Sequence, residues 1–195
     1  MSKRVFDLFF AFIGLIVLAP LFLVVSIWIK LDSPGPIFFR QIRIGQFEAK
    51  FEIYKFRTMV VHAEKIGKLI TVGEDSRITR SGRFLRRSKL DELPQLINIL
   101  KGDMSFVGYR PEVPKYVDLY TTEQRVIFQI RPGLTDLASI KFRNESDLLA
   151  TAEEPEKLYI SSIMPRKLEL NRQYLGKKSL LFDVFIIFKT FLAIF

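Results

Sequence analysis

Twenty-two residues without a charge run from Leu8 to Ile29, and about 20 apolar residues suffice for a helix to cross a bilayer. A secretory signal fits poorly, because its apolar region usually covers only about 7–15 residues and ends at small residues. Here Trp28-Ile29-Lys30 follows instead. Pro20 sits inside the run, where a missing N–H and a clash with the preceding turn kink or break a helix. Lys3 and Arg4 precede the run and Lys30, Arg40 and Arg43 follow it, so the positive-inside bias selects no orientation. Two readings stay open on pattern alone: a helix that spans, and a helix that bends at Ala19-Pro20 and returns to the face it entered from.

Downstream the periodicity changes. Asp32-Ser33-Pro34-Gly35-Pro36 is turn chemistry. Ile37–Ile44 and Phe51–Phe56, separated by a turn at Gly45, predict a β-hairpin. Residues 60–80 are polar, with a turn at Gly73-Glu74-Asp75-Ser76. Helices are predicted within Ser81–Arg87 and over Leu93–Leu100, the second ended by Gly102. Val113–Ile130 has a helical cast that Arg131-Pro132-Gly133 stops. Further helices are predicted after Asn144 and over 166–175, with Gly176 as a cap. The tail Ser179–Phe195 is apolar but carries Asp183 and Lys189, which suits a core-packed or interfacial helix better than a span. The pattern predicts an α+β, mainly helical fold: a membrane helix over 1–30, then a unit over 31–195 with a small hairpin, a helical core and amphipathic helices.

Apolar residues make up 49% of the 195 and charged residues 26%, with a mean hydropathy of +0.18. That combination implies contact with lipid. The chain has no cysteine and one histidine, His62, which excludes disulfides, thiolate metal sites and multi-histidine zinc sites; His62 reads as a surface or structural residue. The net charge of +9 is concentrated in residues 31–110, with fifteen basic against nine acidic side chains. Such a surplus suits anionic headgroups, phosphorylated ligands or nucleic acid.

The candidate chemistry lies in Arg86-Arg87-Ser88-Lys89-Leu90-Asp91-Glu92-Leu93-Pro94-Gln95. Arg80, Arg83 and Arg87 share one face of a helix by spacing, and Arg forks match phosphate oxygens. The bases are expected to keep Asp91 ionised. Ser88 is placed as an N-cap for the Leu93 helix, and acidic groups near a helix start also complement its positive end. The alternative is chemical: magnesium takes one or two carboxylates plus phosphates and water, and an aspartate can attack phosphorus to form an acyl phosphate. Two Arg-Pro turns, Gly108-Tyr109-Arg110-Pro111 and Arg131-Pro132-Gly133, each present a base beside rigid residues.

These motifs, with Lys55-Phe56-Arg57-Thr58-Met59, Asp75–Arg87, Leu90–Gln95 and Asn98–Ser105, resemble the bacterial sugar transferases, specifically the small monotopic phosphoglycosyl transferases. The resemblance runs nearly end to end. It implies transfer of a sugar-1-phosphate from a UDP-sugar to polyprenyl (undecaprenyl) phosphate, releasing UMP, as a first membrane step of polysaccharide, lipopolysaccharide or glycoprotein glycan assembly. It implies Asp91 as nucleophile and Glu92 as its dyad partner, both near Mg2+, with Lys55, Arg57, Arg86, Arg87, Arg110 and Arg131 as phosphate or nucleotide contacts. It further implies a re-entrant helix broken at Ala19-Pro20, the cytoplasmic face of a bacterial inner membrane, and membrane lipids rather than nucleic acid as surroundings. A homodimer or downstream glycosyltransferases remain open as partners. The chain departs from the family pattern at Tyr109, where a proline is usual, at Asp136 for glycine and Ser139 for glutamine, and at Ala19 for serine. Two rival readings are a membrane-anchored basic binding module and an inactive scaffold of a glycan-assembly complex.

Overall fold

The computed structural model describes residues 2–63 and 75–194; Gly73 and Glu74 of the expected Gly73–Ser76 turn lie outside them. Helix α1 runs from Lys3 to Asp32. It stays helical through Ala19 and Pro20, so the expected break is not an interruption of the helix. Its flank packs along the rest of the chain for its whole length. Ala11, with Leu15 and Leu18, meets Ile53, Leu96, Ile99 and Met104. Further on, Val25 and Ile29, with Leu21 and Phe22, meet Phe56 and Leu85.

Both ends of α1 are tied to the same body. Lys3 pairs with Asp183, Arg4 donates to the carbonyls of Ile99 (2.7 Å) and Leu100 (3.2 Å), and Asp7 accepts from Phe106 N at 3.2 Å. At the other end Asp32 accepts from Ser81 N and Oγ at 2.9 and 2.8 Å. The opposite side of α1 is bare: Phe9, Phe12, Ile16, Val17, Leu23, Val24 and Leu31 are exposed, and only 11% of its most apolar stretch is buried. An apolar surface of this extent marks a contact with lipid or protein.

Strands β1 (Phe38–Ile44) and β2 (Lys50–Phe56) form the expected antiparallel hairpin, with Phe38 opposite Phe56 and Ile44 opposite Lys50. Helix α2 (Arg80–Arg87) is capped by Thr79, whose side chain accepts from Gly82 N. Ser88 ends this helix, its Oγ donating to Phe84 and Leu85 carbonyls, instead of starting the next. Lys89 then takes a left-handed conformation, φ 57°. Leu90–Glu92 forms a 3₁₀ turn, and α3 spans Gln95–Lys101. Asp91 and Glu92 therefore sit in the elbow between helices, not on one. Gly102, at φ 96°, ends α3.

Asn98 of α3 fixes this elbow against the hairpin. Its Oδ1 accepts from Tyr54 N at 2.9 Å and its Nδ2 donates to Glu52 O at 2.7 Å. It thus supplies the free edge of β2 with the partners a third strand would give.

β3 (Ser105–Val107) and β4 (Gly133–Thr135) pair in parallel, a contact between segments far apart in sequence. Their flanking loops approach so closely that a Cβ on Gly108 would lie 2.3 Å from Arg131 O, and one on Gly133 2.1 Å from Gly108 N. Only glycine fits at either place. The helical cast of Val113–Ile130 resolves into α4 (Pro114–Val117) and a 3₁₀ segment, Gln124–Gln129. They bury Tyr116, Val117, Ile127 and Phe128 in a second core with Tyr109, Leu149, Tyr159 and Leu168. Helices α5 (Leu137–Lys141), α6 (Glu145–Ala150) and α7 (Pro155–Leu158) follow. A π-helical turn, Tyr159–Ile163, leads into α8 (Met164–Lys177), which passes through Gly176 instead of ending there. The last helix, α9 (Leu180–Ile194), buries Ile186 against Val107 and Tyr174. It exposes Leu181, Phe185, Phe188 and Leu192, so one side packs on the core and the other is bare.

Candidate active site

A cleft of about 750 Å³ opens beside the α2–α3 elbow, lined on one wall by Arg86, Arg87, Lys89 and Glu92. The Arg110-Pro111-Glu112 loop forms the next wall, and Gln41, Arg43, Thr135, Ser139, Tyr159 and Lys167 line the rest. The hairpin contributes Lys55, whose Nζ lies 2.7 Å from Glu92 Oε1. Arg110 grips the same carboxylate from the opposite side, pairing with Oε1 and reaching Oε2 at 3.3 Å.

The two carboxylates of the elbow have opposite surroundings. Burial alone would push Glu92 up; Arg110 and Lys55 override it and hold its carboxyl well below the usual carboxylate range. Asp91 is 8% exposed and makes no hydrogen bond or salt bridge among the described residues. Burial raises its pKa, the charge of Glu92 adds to this, and Lys55, Arg86 and Lys89 oppose it without winning. Desolvation thus outweighs the neighbouring bases that were expected to favour the ionised form of Asp91, and one of those bases, Lys55, is paired with Glu92. Lys55 is itself lowered by burial, while Arg110 is raised by Glu92. A buried carboxylate with free lone pairs next to a fully paired one is an arrangement suited to nucleophilic attack.

Of the candidate phosphate contacts, Lys55, Arg86, Arg87 and Arg110 converge on this elbow and cleft. Arg57 and Arg131 do not. Arg57 is 4% exposed and donates to the carbonyls of Ile29, Ser33 and Pro34, closing the end of α1. Arg131 donates to Gly102 O at 2.7 Å, at the end of α3. In each case a helix terminus with unsatisfied carbonyls attracted the guanidinium.

The departures from the expected motif have local explanations. Tyr109 is 1% exposed and packs edge-on against Phe128 at 5.4 Å, so burial anchors the Arg110 loop where a proline would have stiffened it. Asp136 caps α5, accepting from Ser139 N (2.8 Å) and Ser139 Oγ (2.5 Å); the two unusual residues partner one another.

Several cleft residues carried no local signal in the sequence. Arg43 donates to Glu112 at 3.1 Å and to Gln41 at 2.7 Å, and Tyr159 donates to Glu112 at 2.6 Å. These come from three separate segments, and only Glu112, directly after Arg110-Pro111, stood near a motif. Among the described residues no group of three or more acidic, histidine or cysteine side chains converges to hold a metal.

Comparison with known proteins adds the biological context. The family described as bacterial sugar transferase matches residues 1–195. The UDP-N-acetylgalactosamine-undecaprenyl-phosphate N-acetylgalactosaminephosphotransferase of Aeromonas hydrophila is 37% identical over 96% of this chain and 42% of its own length. The UDP-glucose:undecaprenyl-phosphate glucose-1-phosphate transferase of Xanthomonas campestris pv. campestris is 38% identical over 97% of this chain and 38% of its own. The exopolysaccharide production protein PSS of Rhizobium leguminosarum bv. phaseoli is 37% identical over 96% of this chain and 92% of its own. The chain thus spans less than half the length of the first two relatives and most of the third.

Proposed function

Because this chain belongs to the bacterial sugar transferase family, we propose that it moves a sugar-1-phosphate from a UDP-sugar to polyprenyl phosphate. The observation that carries the reading is the contrast at the elbow: Asp91 buried and, among the described residues, unpartnered, Glu92 locked between Lys55 and Arg110. An Asp91 oxygen attacks the phosphorus that bears the sugar. The bond from that phosphorus to the bridging oxygen breaks, and UMP leaves with the electron pair. An oxygen of polyprenyl phosphate then attacks the same phosphorus and displaces the Asp91 carboxylate, giving polyprenyl-diphosphate-sugar. Arg86, Arg87 and Lys89 line the cleft and neutralise the diphosphate. Glu92 fixes Lys55 and Arg110 in the elbow.

Mg2+ is part of this proposal. The donor set fits a hard cation that keeps water and phosphate ligands: Asp91 offers free oxygens, and Glu92 would release one cationic partner to contribute. When bound, the ion supplies charge neutralisation for the departing UMP.

The protein is membrane-associated. Support for a re-entrant, monotopic placement comes from the anchoring of both ends of α1 to one body, since a perpendicular span would put them on opposite faces. The cytoplasmic face of an inner membrane follows as the side where UDP-sugars are available.

The decisive experiment incubates the protein with polyprenyl phosphate, magnesium and a panel of UDP-sugars and scores UMP. Release with one or more sugars, lost in Asp91→Asn, is expected; UMP release by Asp91→Asn at the wild-type rate would overturn the nucleophile assignment. The chain has no native cysteine, so cysteines placed at Ser2 and Ser33 report sidedness directly. Labelling from opposite faces would exclude re-entry.

A further inference from the structure

The basic run of α2 divides in two. Arg86 and Arg87 line the cleft, whereas Arg80 and Arg83 do not. On the inner side of α2, Ser81, Gly82 and Leu85 are buried; on the outer side Arg80, Arg83, Phe84 and Arg87 are exposed, spaced so that they share one surface. Among the described residues Arg80 and Arg83 make no ion pair or hydrogen bond through their side chains. The nearby carboxylate of Asp32 is engaged by Ser81.

This surface is fixed at the point where α1 ends its apolar run. The Asp32–Ser81 bonds clamp α2 to α1, and Trp28 packs against Phe84 with ring centroids 5.4 Å apart. Phe84 is 52% exposed and Leu31 82% exposed. They continue the bare apolar side of α1 up to the arginines. An apolar surface bordered by exposed guanidinium groups, with aromatic rings at the boundary, matches the layering of a membrane interface.

We propose that the outer face of α2 binds the headgroups of anionic phospholipids. Arg80 and Arg83 bond the lipid phosphates, for which their planar forks are suited. Phe84 and Trp28 sit at the edge of the hydrocarbon. The site is separate from the cleft and needs no turnover, so it stands or falls independently of the transferase reading.

The test uses the full chain, exchanged from detergent into a mixture of phosphatidylcholine discs and discs containing phosphatidylglycerol, which are then separated. Wild-type protein should favour the anionic discs. Each basic side chain at an anionic surface is worth about 1 kcal/mol and about 1.4 kcal/mol is tenfold, so Arg80→Gln/Arg83→Gln should lose about 30-fold of that preference. High salt should erase it in the wild type. Trp28 is the sole tryptophan, so a shift of its emission between disc types should appear in the wild type and vanish in the double variant. Arg80→Lys/Arg83→Lys keeps the charge and should keep most of the preference. Unchanged melting and unchanged uptake into neutral discs establish that the variants fold. A double Gln variant that partitions like wild type overturns the proposal. So does a wild-type preference indifferent to salt, an equal Trp28 response to inorganic phosphate, or release from anionic discs by single-stranded nucleic acid.

Discussion

The opposite surroundings of Asp91 and Glu92 predict that neutralising one carboxylate stabilises the protein and neutralising its neighbour destabilises it. Burial raises the folded pKa of Asp91 above its ordinary value of 3.8, so the ionised group opposes folding at neutral pH. That opposition is absent below the unfolded pKa and fully present above the folded one. Asp91→Asn should therefore melt higher than wild type at pH 7, and the gain should disappear in acid. Each tenfold weakening of the acid is worth about 1.4 kcal/mol, and a chain of this size gains about 2–4 °C per kcal/mol.

Glu92 has the reverse sign. Its depressed pKa contributes stability that is present above the unfolded value of 4.5 and lost as pH falls through the folded one. Glu92→Gln removes the carboxylate with which both Lys55 and Arg110 pair. Removing one member of a buried ion pair costs about 3–5 kcal/mol, or roughly 6–20 °C in melting temperature. Both variants should lose UMP release. Thermal unfolding in a fixed detergent or disc, at pH 7 and again in acid, reads the stability half. If the pair only complemented a helix start, both substitutions would cost about 0.3–1 kcal/mol in the same direction. A lower melting point for Asp91→Asn, or no change for Glu92→Gln, would refute the electrostatic assignment.

Other outcomes follow from the same geometry. If Asp91 attacks as the carboxylate, the acid limb of the first transfer step should lie above the ordinary aspartate value of 3.8, as a pH profile of single-turnover UMP release will record. Asn98→Ala strips Tyr54 N and Glu52 O of their partners; at about 1–3 kcal/mol for each buried group left unsatisfied, it should lower the melting temperature and loosen Lys55 from Glu92. A Cβ on Gly82 would lie 2.0 Å from Thr58 O, whereas one on Gly176 meets nothing within 4 Å. Gly82→Ala should then fail to fold, and Gly176→Ala, within α8, should gain about 1 kcal/mol, by expression yield and thermal melting. Pro20→Ala restores a helical N–H in a segment already helical and should stabilise α1 by up to about 3 kcal/mol, leaving cysteines at Ser2 and Ser33 labelled from the same face.

The legible parts of this protein were those whose cause is local. The charge-free run, the hairpin alternation and Gly102 as a stop depend on side chains within a turn or two of each other, and each appears in the structure close to where the sequence put it. Gly176 and Ser88 misled for the same reason: a glycine or serine near a helix end is a common cap, but packing of Tyr174 carries α8 onward, and the left-handed Lys89 turns Ser88 into the end of α2. The Val113–Ile130 segment had a helical cast, yet its apolar residues are buried by a core drawn from Ile44 and residues 109–168, which breaks the segment to seat them.

The amino-acid sequence by itself determined which groups are available: two adjacent carboxylates, a surplus of arginines, an apolar helix flanked by bases, and a resemblance carried by several motifs in order. Tertiary structure decided what each group does. It sent Arg57 and Arg131 to the carbonyl ends of helices, and Lys55 and Arg110 to Glu92, because an unsatisfied helix end and a buried carboxylate compete for the same guanidinium and ammonium groups. It separated Arg80 and Arg83 from the cleft by the roll of one short helix. And it left Asp91 buried without a partner among the described residues, its acidity weakened by desolvation, which depends on what surrounds a residue in space and not on what precedes it in the chain.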